Sequence, residues 1–197
     1  MEDEYLGLEN IGKVEVNIKH SIFIGLAYPL EGKNYQDILR EIKLEYPSAT
    51  HYCWAYRKLP REEYFSDGGE PSGSAGRPIL NSLREFNLWN SMVVVVRYFG
   101  GVKLGVKGLI SAYYSTSKSA ILAGRIVKKH ITADYILSLP YNLLNNVKND
   151  IYKNFTKEVD MDFHDKVILK IRIPLSKKEE FENYLLRKEG IEIVKNS

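Results

Sequence analysis

The chain has 197 residues, 44% of them apolar, with 28 basic and 25 acidic side chains, a composition that supports packed cores in one or two domains. Glu2, Asp3 and Glu4 stand at its start and the longest aliphatic run is Met92–Val96, so neither a signal peptide nor a membrane span is expected, and the chain reads as cytoplasmic. One cysteine, Cys53, and four scattered histidines leave no internal disulfide and point to no metal or cofactor.

Residues 14–30, "VEVNIKHSIFIGLAYPL", are rich in β-formers and predict one or two strands ending near Pro29. A helix follows, with Asn34 as N-cap, Ile38, Leu39, Ile42 and Tyr46 at helical spacing, and Pro47 closing it. In "THYCWAYR" a period of two sends Tyr52, Trp54 and Tyr56 to one face and His51, Cys53, Ala55 and Arg57 to the other. The aromatic face reads as core or protein contact before it reads as a platform for bases. After the loop "DGGEPSGSAGRP", Pro78 suits the first turn of a helix carrying Ile79, Leu80, Leu83 and Phe86, and "MVVVVRYF" predicts a fully buried strand. A glycine-rich turn then runs into a helix that stops near Gly124, placing Lys107, Ser111, Tyr114 and Lys118 on one face.

Beyond residue 131 the pattern changes to a small separate unit. "DYILSL" alternates as a strand, Leu143, Val147, Ile151 and Phe155 predict a helix, and "EVDMDFH" and "KVILKIRIP" read as two further strands. Ser176 with Glu179 suggests a capping box for a helix that Gly190 can end, and "IEIV" supplies a last strand. The fold class expected is α+β, divided at 1–131 and 132–197, with a ferredoxin-like β-α-β-β-α-β order in the second part.

Charge is distributed unevenly. Residues 1–85 carry ten basic and fourteen acidic side chains, residues 86–133 seven basic and none acidic, and residues 134–197 eleven of each. The acid-free stretch, with Arg97, Lys103, Lys107, Lys118, Arg125, Lys128 and Lys129, would attract an anionic partner if its cations share a surface; otherwise they solvate a strand and a helix. At its head, Gly100, Gly101 and Gly105 put backbone N–H groups beside a helix N-terminus, with Lys103 and Lys107 close by. The spacing matches neither a P-loop nor G-x-G-x-x-G, so nucleotide hydrolysis has no support.

The loop from Asp67 to Pro78 combines Asp67, Glu70, Ser72, Ser74 and Arg77 with four glycines. Small residues permit positive φ and close backbone approach, which suits the wall of a cleft that His51 could join. No G-x-S-x-G runs through Ser72 or Ser74, and Cys53 two residues from His51 on a strand would not hydrogen-bond to it, so a nucleophile is not expected there.

"THYCWAYR", "FSDGGEPSGSAGRPIL" and "VVVVRYFGGVKLGVKGL", in that order, resemble the signature of the YigZ/IMPACT family, and the C-terminal unit is similar to the small domain of its bacterial two-domain branch. The resemblance implies an N-terminal domain like domain IV of elongation factor G, a ribosomal-protein-like β-α fold, followed by a ferredoxin-like domain, and hence ribosome or RNA contact. The family's eukaryotic members are translational regulators that restrain the kinase response to amino-acid starvation. This chain departs from the family pattern at Gly68, Ser74, Val102, Lys107 and Ser111. The leading expectation is a non-enzymatic protein that binds RNA or the translation machinery through Arg97, Gly100, Gly101, Lys103, Gly105, Lys107 and Lys118. The alternatives are a hydrolase-like enzyme acting on a small anionic substrate between the 67–78 loop and the 100–105 turn, with Asp67 or Glu70 as base, and a protein-interaction module using Tyr52, Trp54 and Tyr56.

Overall fold

The computed structural model describes residues 3–196, which form two compact α+β units: Leu6–Lys129, and residues 3–5 together with 130–196. β1 (Glu4–Leu8) leads into a hairpin of β2 (Gly12–Ile18) and β3 (Ser21–Pro29), turned at Lys19 and His20. α1 (Tyr35–Glu45) starts at Asn34, whose side chain accepts a hydrogen bond from the Gln36 amide at 3.0 Å, so an otherwise orphaned N–H finds a partner. β4 (His51–Lys58) and β5 (Glu62–Ser66) make a second hairpin, followed by α2 (Gly76–Glu85), β6 (Ser91–Tyr98), α3 (Gly105–Ala123) and β7 (Ile126–His130), which pairs with β1.

The first unit is built on an antiparallel sheet in the order β2-β3-β6-β4-β5. β6 takes the centre because its valines are apolar on both faces. Val93 and Val95 join a core with Ile79, Leu83, Leu109 and Tyr113 of α2 and α3, while Met92, Val94 and Val96 join a second core with Ile38 and Ile42 of α1. β4 obeys the same alternation: Cys53 and Ala55 face α2 and α3, and Tyr52, Trp54 and Tyr56 face the α1 layer.

The second unit continues with β8 (Thr132–Leu139), α4 (Tyr141–Asn154), β9 (Val159–Phe163), β10 (Val167–Pro174), α5 (Lys178–Leu186) and β11 (Glu192–Asn196). Its sheet runs β11-β8-β10-β9, antiparallel throughout. Tyr135, Leu137, Leu139, Val167, Leu169, Ile171 and Ile173 line one face and pack against Val147 and Ile151 of α4 and Phe181 and Leu185 of α5. The capping box expected at Ser176 does not form. A 3-10 turn at Leu175–Lys177 takes up Ser176, whose amide donates to Asp3 Oδ1 at 2.8 Å, and α5 starts two residues later without a side-chain cap. The helix also ends at Leu186, before Gly190. No helix among the described residues is long and apolar enough to cross a membrane.

Candidate functional site

The 67–78 loop is held from within. Asp67 Oδ2 accepts from the Gly73 amide at 2.9 Å, and its Oδ1 accepts from the Ala75 and Gly76 amides at 3.0 and 2.8 Å. Gly76 opens α2, and Ala75 at its N-cap has no side chain able to accept, so Asp67 caps the helix from eight or nine residues upstream, where the positive end of the helix dipole favours a carboxylate. Ser74 is buried and donates its hydroxyl to the Pro71 carbonyl at 2.6 Å, whereas Ser72 is exposed. Arg77 is exposed too, its guanidinium 5.9 Å from the centre of the Phe65 ring. The 67–78 loop is therefore a set of backbone turns organised by one carboxylate.

Glu70 turns inward from the same loop. Its Oε1 accepts from Arg97 Nη1 of β6 at 2.5 Å and from the Tyr113 hydroxyl of α3 at 2.7 Å. Arg97 Nη2 donates to Ser21 Oγ of β3 at 3.3 Å, and the Gly100 amide donates to the same oxygen at 3.2 Å. Both charged side chains are about 95% buried, and the guanidinium also lies over the Phe23 and Phe99 rings. Loop, central strand, long helix and hairpin are thus joined at one buried ion pair. His51 stands at its rim: Nδ1 donates to the Gly68 carbonyl at 3.0 Å, which can only accept, and Nε2 lies 3.8 Å from Glu70 Oε1.

The neighbouring hydroxyl and thiol are inert for the same reason. Burial, with Cys53 and Glu70 beside it, pushes the Tyr113 phenol far above its usual range, and burial pushes the Cys53 thiol up to about 12. Cys53 donates to the Asp67 carbonyl at 2.9 Å and is fully covered. A thiol-reactive disulfide reagent at pH 8 is expected to leave the native protein unlabelled and to titrate the Cys53 thiol only in denaturant; rapid labelling of the folded chain would contradict this burial.

The acid-free stretch does not stay acid-free in space. Lys118 pairs with Glu85 at 2.7 Å, Arg125 with Glu9 at 2.8 Å and Lys129 with Glu31 at 2.7 Å, while Arg97 is enclosed with Glu70. Every one of these carboxylates comes from residues 1–85. Arg97 and Lys118 are therefore not part of an open cationic surface, as the linear charge count had suggested. Lys103 and Lys107 remain exposed, and no ion pair engages either among the described residues.

Lys103 lies within the Gly100–Gly105 turn and Lys107 two residues beyond it. A Cβ on Gly100 would fall 1.9 Å from the His20 carbonyl oxygen, so the close passage of β6 past the β2–β3 hairpin requires glycine there. Gly101 and Gly105 take φ of 85° and 72° in open space, and Gly105 begins α3. Leu104 at the N-cap offers no acceptor and the first turn holds no acid, so its leading amides have no side-chain partner. Around them four large apolar side chains reach solvent: Phe99, Val102, Val106 and Ile110, exposed by 44, 41, 54 and 41%. One short segment thus presents cations, open amides and apolar surface together.

The aromatic face of β4 is largely core, as its spacing suggests. Tyr56 is buried, and Trp54 and Tyr56 stack in parallel at 6.0 Å with Tyr35 of α1 about 5 Å from each. Tyr64 of β5, a strand the sequence pattern did not reveal, lies beside both, 5.6 Å from the Trp54 ring centre and 6.3 Å from that of Tyr56.

Three comparisons place these features among known proteins. The family model described as the Impact N-terminal domain matches residues 19–121. The IMPACT family member YigZ of Escherichia coli (strain K12) is 31% identical over 169 residues, covering 83% of each chain. YvyE of Bacillus subtilis (strain 168), also named as an IMPACT family member, is 31% identical over 192 residues, covering 96% of this chain and 83% of the relative. A crystal structure of a hypothetical protein superposes with a TM-score of 0.70 at 27% identity, covering 98% of this chain and 97% of the other.

Proposed function

This chain belongs to the IMPACT family, and on that premise we propose that it is a translation-related regulator without catalytic chemistry of its own, docking on RNA of the translation machinery. The observation that carries the reading is the turn at the head of α3, where Lys103, Lys107, uncapped helix amides and the exposed Phe99, Val102, Val106 and Ile110 lie within twelve residues. Lysines and amides suit phosphate, and Phe99 offers a ring face to a base. The family role in translation set out from the sequence motifs supports the choice of partner. The finer fold likeness belongs to the same proposal: a domain like that of elongation factor G domain IV over 1–131 and a ferredoxin-like domain over 132–197 would present such a turn to the ribosome.

The hydrolytic reading loses its base. Asp67 accepts three amide hydrogen bonds and Glu70 is enclosed by Arg97 and Tyr113, so both candidate carboxylates are engaged by the protein itself.

A salt titration tests the proposal. Binding to single-stranded RNA should weaken steeply as salt rises, and Lys103→Glu with Lys107→Glu should flatten the log–log slope by about 1.4, the loss of two neutralised phosphates. Lys118→Gln should leave the slope unchanged, since Lys118 already answers Glu85. Wild-type protein that shows no salt-dependent affinity for RNA or ribosomes would overturn the reading.

A further inference from the structure

We infer that the β4–β5 hairpin is a second contact for the same partner, a platform on which an unpaired base of single-stranded nucleic acid stacks. This inference rests on the RNA reading above and gives it a specificity that phosphate contacts cannot supply. Trp54 and Tyr56 stand parallel, inclined by only 3°, and Tyr64, opposite Tyr56 in the hairpin, lies 5.6 Å from the Trp54 ring centre and 6.3 Å from that of Tyr56, so the three rings form a triangular cluster. Tyr35 closes the inner side, 5.2 and 5.1 Å from the Trp54 and Tyr56 ring centres. Tyr64 stands on β5, the edge strand of the sheet, so among the described residues no strand lies beyond it, and the residue is 57% exposed. The aromatic cluster is therefore open to solvent at Tyr64.

Charge at the hairpin fits a phosphate backbone. Lys58 and Arg61 are exposed at its tip, and no ion pair engages either among the described residues. Of the two nearby carboxylates, Glu63 is answered by Arg57 and Arg84, and Glu62, which accepts from the Tyr56 hydroxyl, is outnumbered by the two free cations. A base on Tyr64 would place its flanking phosphates toward Lys58 and Arg61. Register separates this platform from the turn at α3. His51 opposes Arg97 at one end of the β4–β6 ladder and Arg57 opposes Ser91 at the other, so the hairpin and the Gly100–Gly105 turn lie at opposite ends of the sheet.

The test compares a short oligoadenylate with an abasic oligomer of equal length, reading affinity by anisotropy and tryptophan emission by fluorescence. The oligoadenylate should bind about 10-fold tighter than the abasic oligomer and quench emission through Trp54. Tyr64→Ala should abolish both differences and Tyr64→Phe should keep them, while Lys103→Glu with Lys107→Glu should weaken both oligomers alike and leave the preference intact. Equal affinity for the two oligomers, or a preference that survives Tyr64→Ala, would overturn the platform and leave the turn at α3 standing. Binding of neither oligomer would overturn both. Quenching by an extended peptide with none by the oligoadenylate would assign the platform to a protein partner instead.

Discussion

Glu70→Ala is expected to lower the unfolding free energy by about 3–5 kcal/mol, because it leaves the Arg97 guanidinium buried without a counter-charge. The Tyr113 hydroxyl loses its acceptor in the same step, and Arg97 Nε already lacks a hydrogen-bond partner, so little nearby could compensate. Replacing the pair with apolar residues, Glu70→Leu with Arg97→Met, should recover much of the loss, since neither charge then has to be stripped of water. Urea unfolding of the three proteins reads this directly. A loss below about 1 kcal/mol for Glu70→Ala would mean that water reaches the guanidinium and that the pair is not the joint it is taken for.

Asp67→Ala should cost about 2–4 kcal/mol, the combined effect of three amides losing a charged acceptor and of α2 losing its cap. The cost reaches the core because α2 carries Ile79, Leu80 and Leu83 into it. Asp67→Asn should cost less, since one oxygen can still serve Ala75 and Gly76. Amide hydrogen exchange gives the local readout: the Gly73, Ala75 and Gly76 amides should exchange faster in Asp67→Ala than the ladder amides of β6. Unchanged protection at those three positions would show that the loop holds its shape without the carboxylate.

The regular elements were legible where periodicity and punctuation agreed. Asn34 marks the start of α1, Gly124 stands at the C-cap of α3, and the odd-numbered apolar residues of β8 and β10 face the helices as their alternation implied. Three short strands were not legible. β1 and β7 pair across more than a hundred residues, and β5 is five residues long, follows Pro60 and begins with two glutamates. Their pairing depends on tertiary contacts that no window of sequence contains. Missing β5 also hid Tyr64, the exposed member of the aromatic cluster.

The site was misread for a related reason. A run without Asp or Glu looks cationic only if its neighbours in space are its neighbours in sequence, and here Glu9, Glu31, Glu70 and Glu85 fold back onto it from the first 85 residues. The loop was read correctly as shaped backbone, but Asp67 and Glu70 gave no hint of their partners, because the amides of α2 and the Arg97 guanidinium approach them only in the folded chain. Lys103 and Lys107, in the turn that depends least on distant neighbours, are the cations of that stretch left exposed without an ion pair among the described residues.

The inward set of Asp67, Glu70 and Arg97 has a consequence for how such a scaffold can diversify. Phe99, Val102, Lys103, Val106, Lys107 and Ile110 take no part in the buried joint apart from the Phe99 ring beside Arg97, so most of them can be exchanged at small thermodynamic cost. Framework and outward face are then separable traits: the outward residues can change by a few substitutions while the skeleton stays, and resemblance in the motif need not carry resemblance in what the outward face meets.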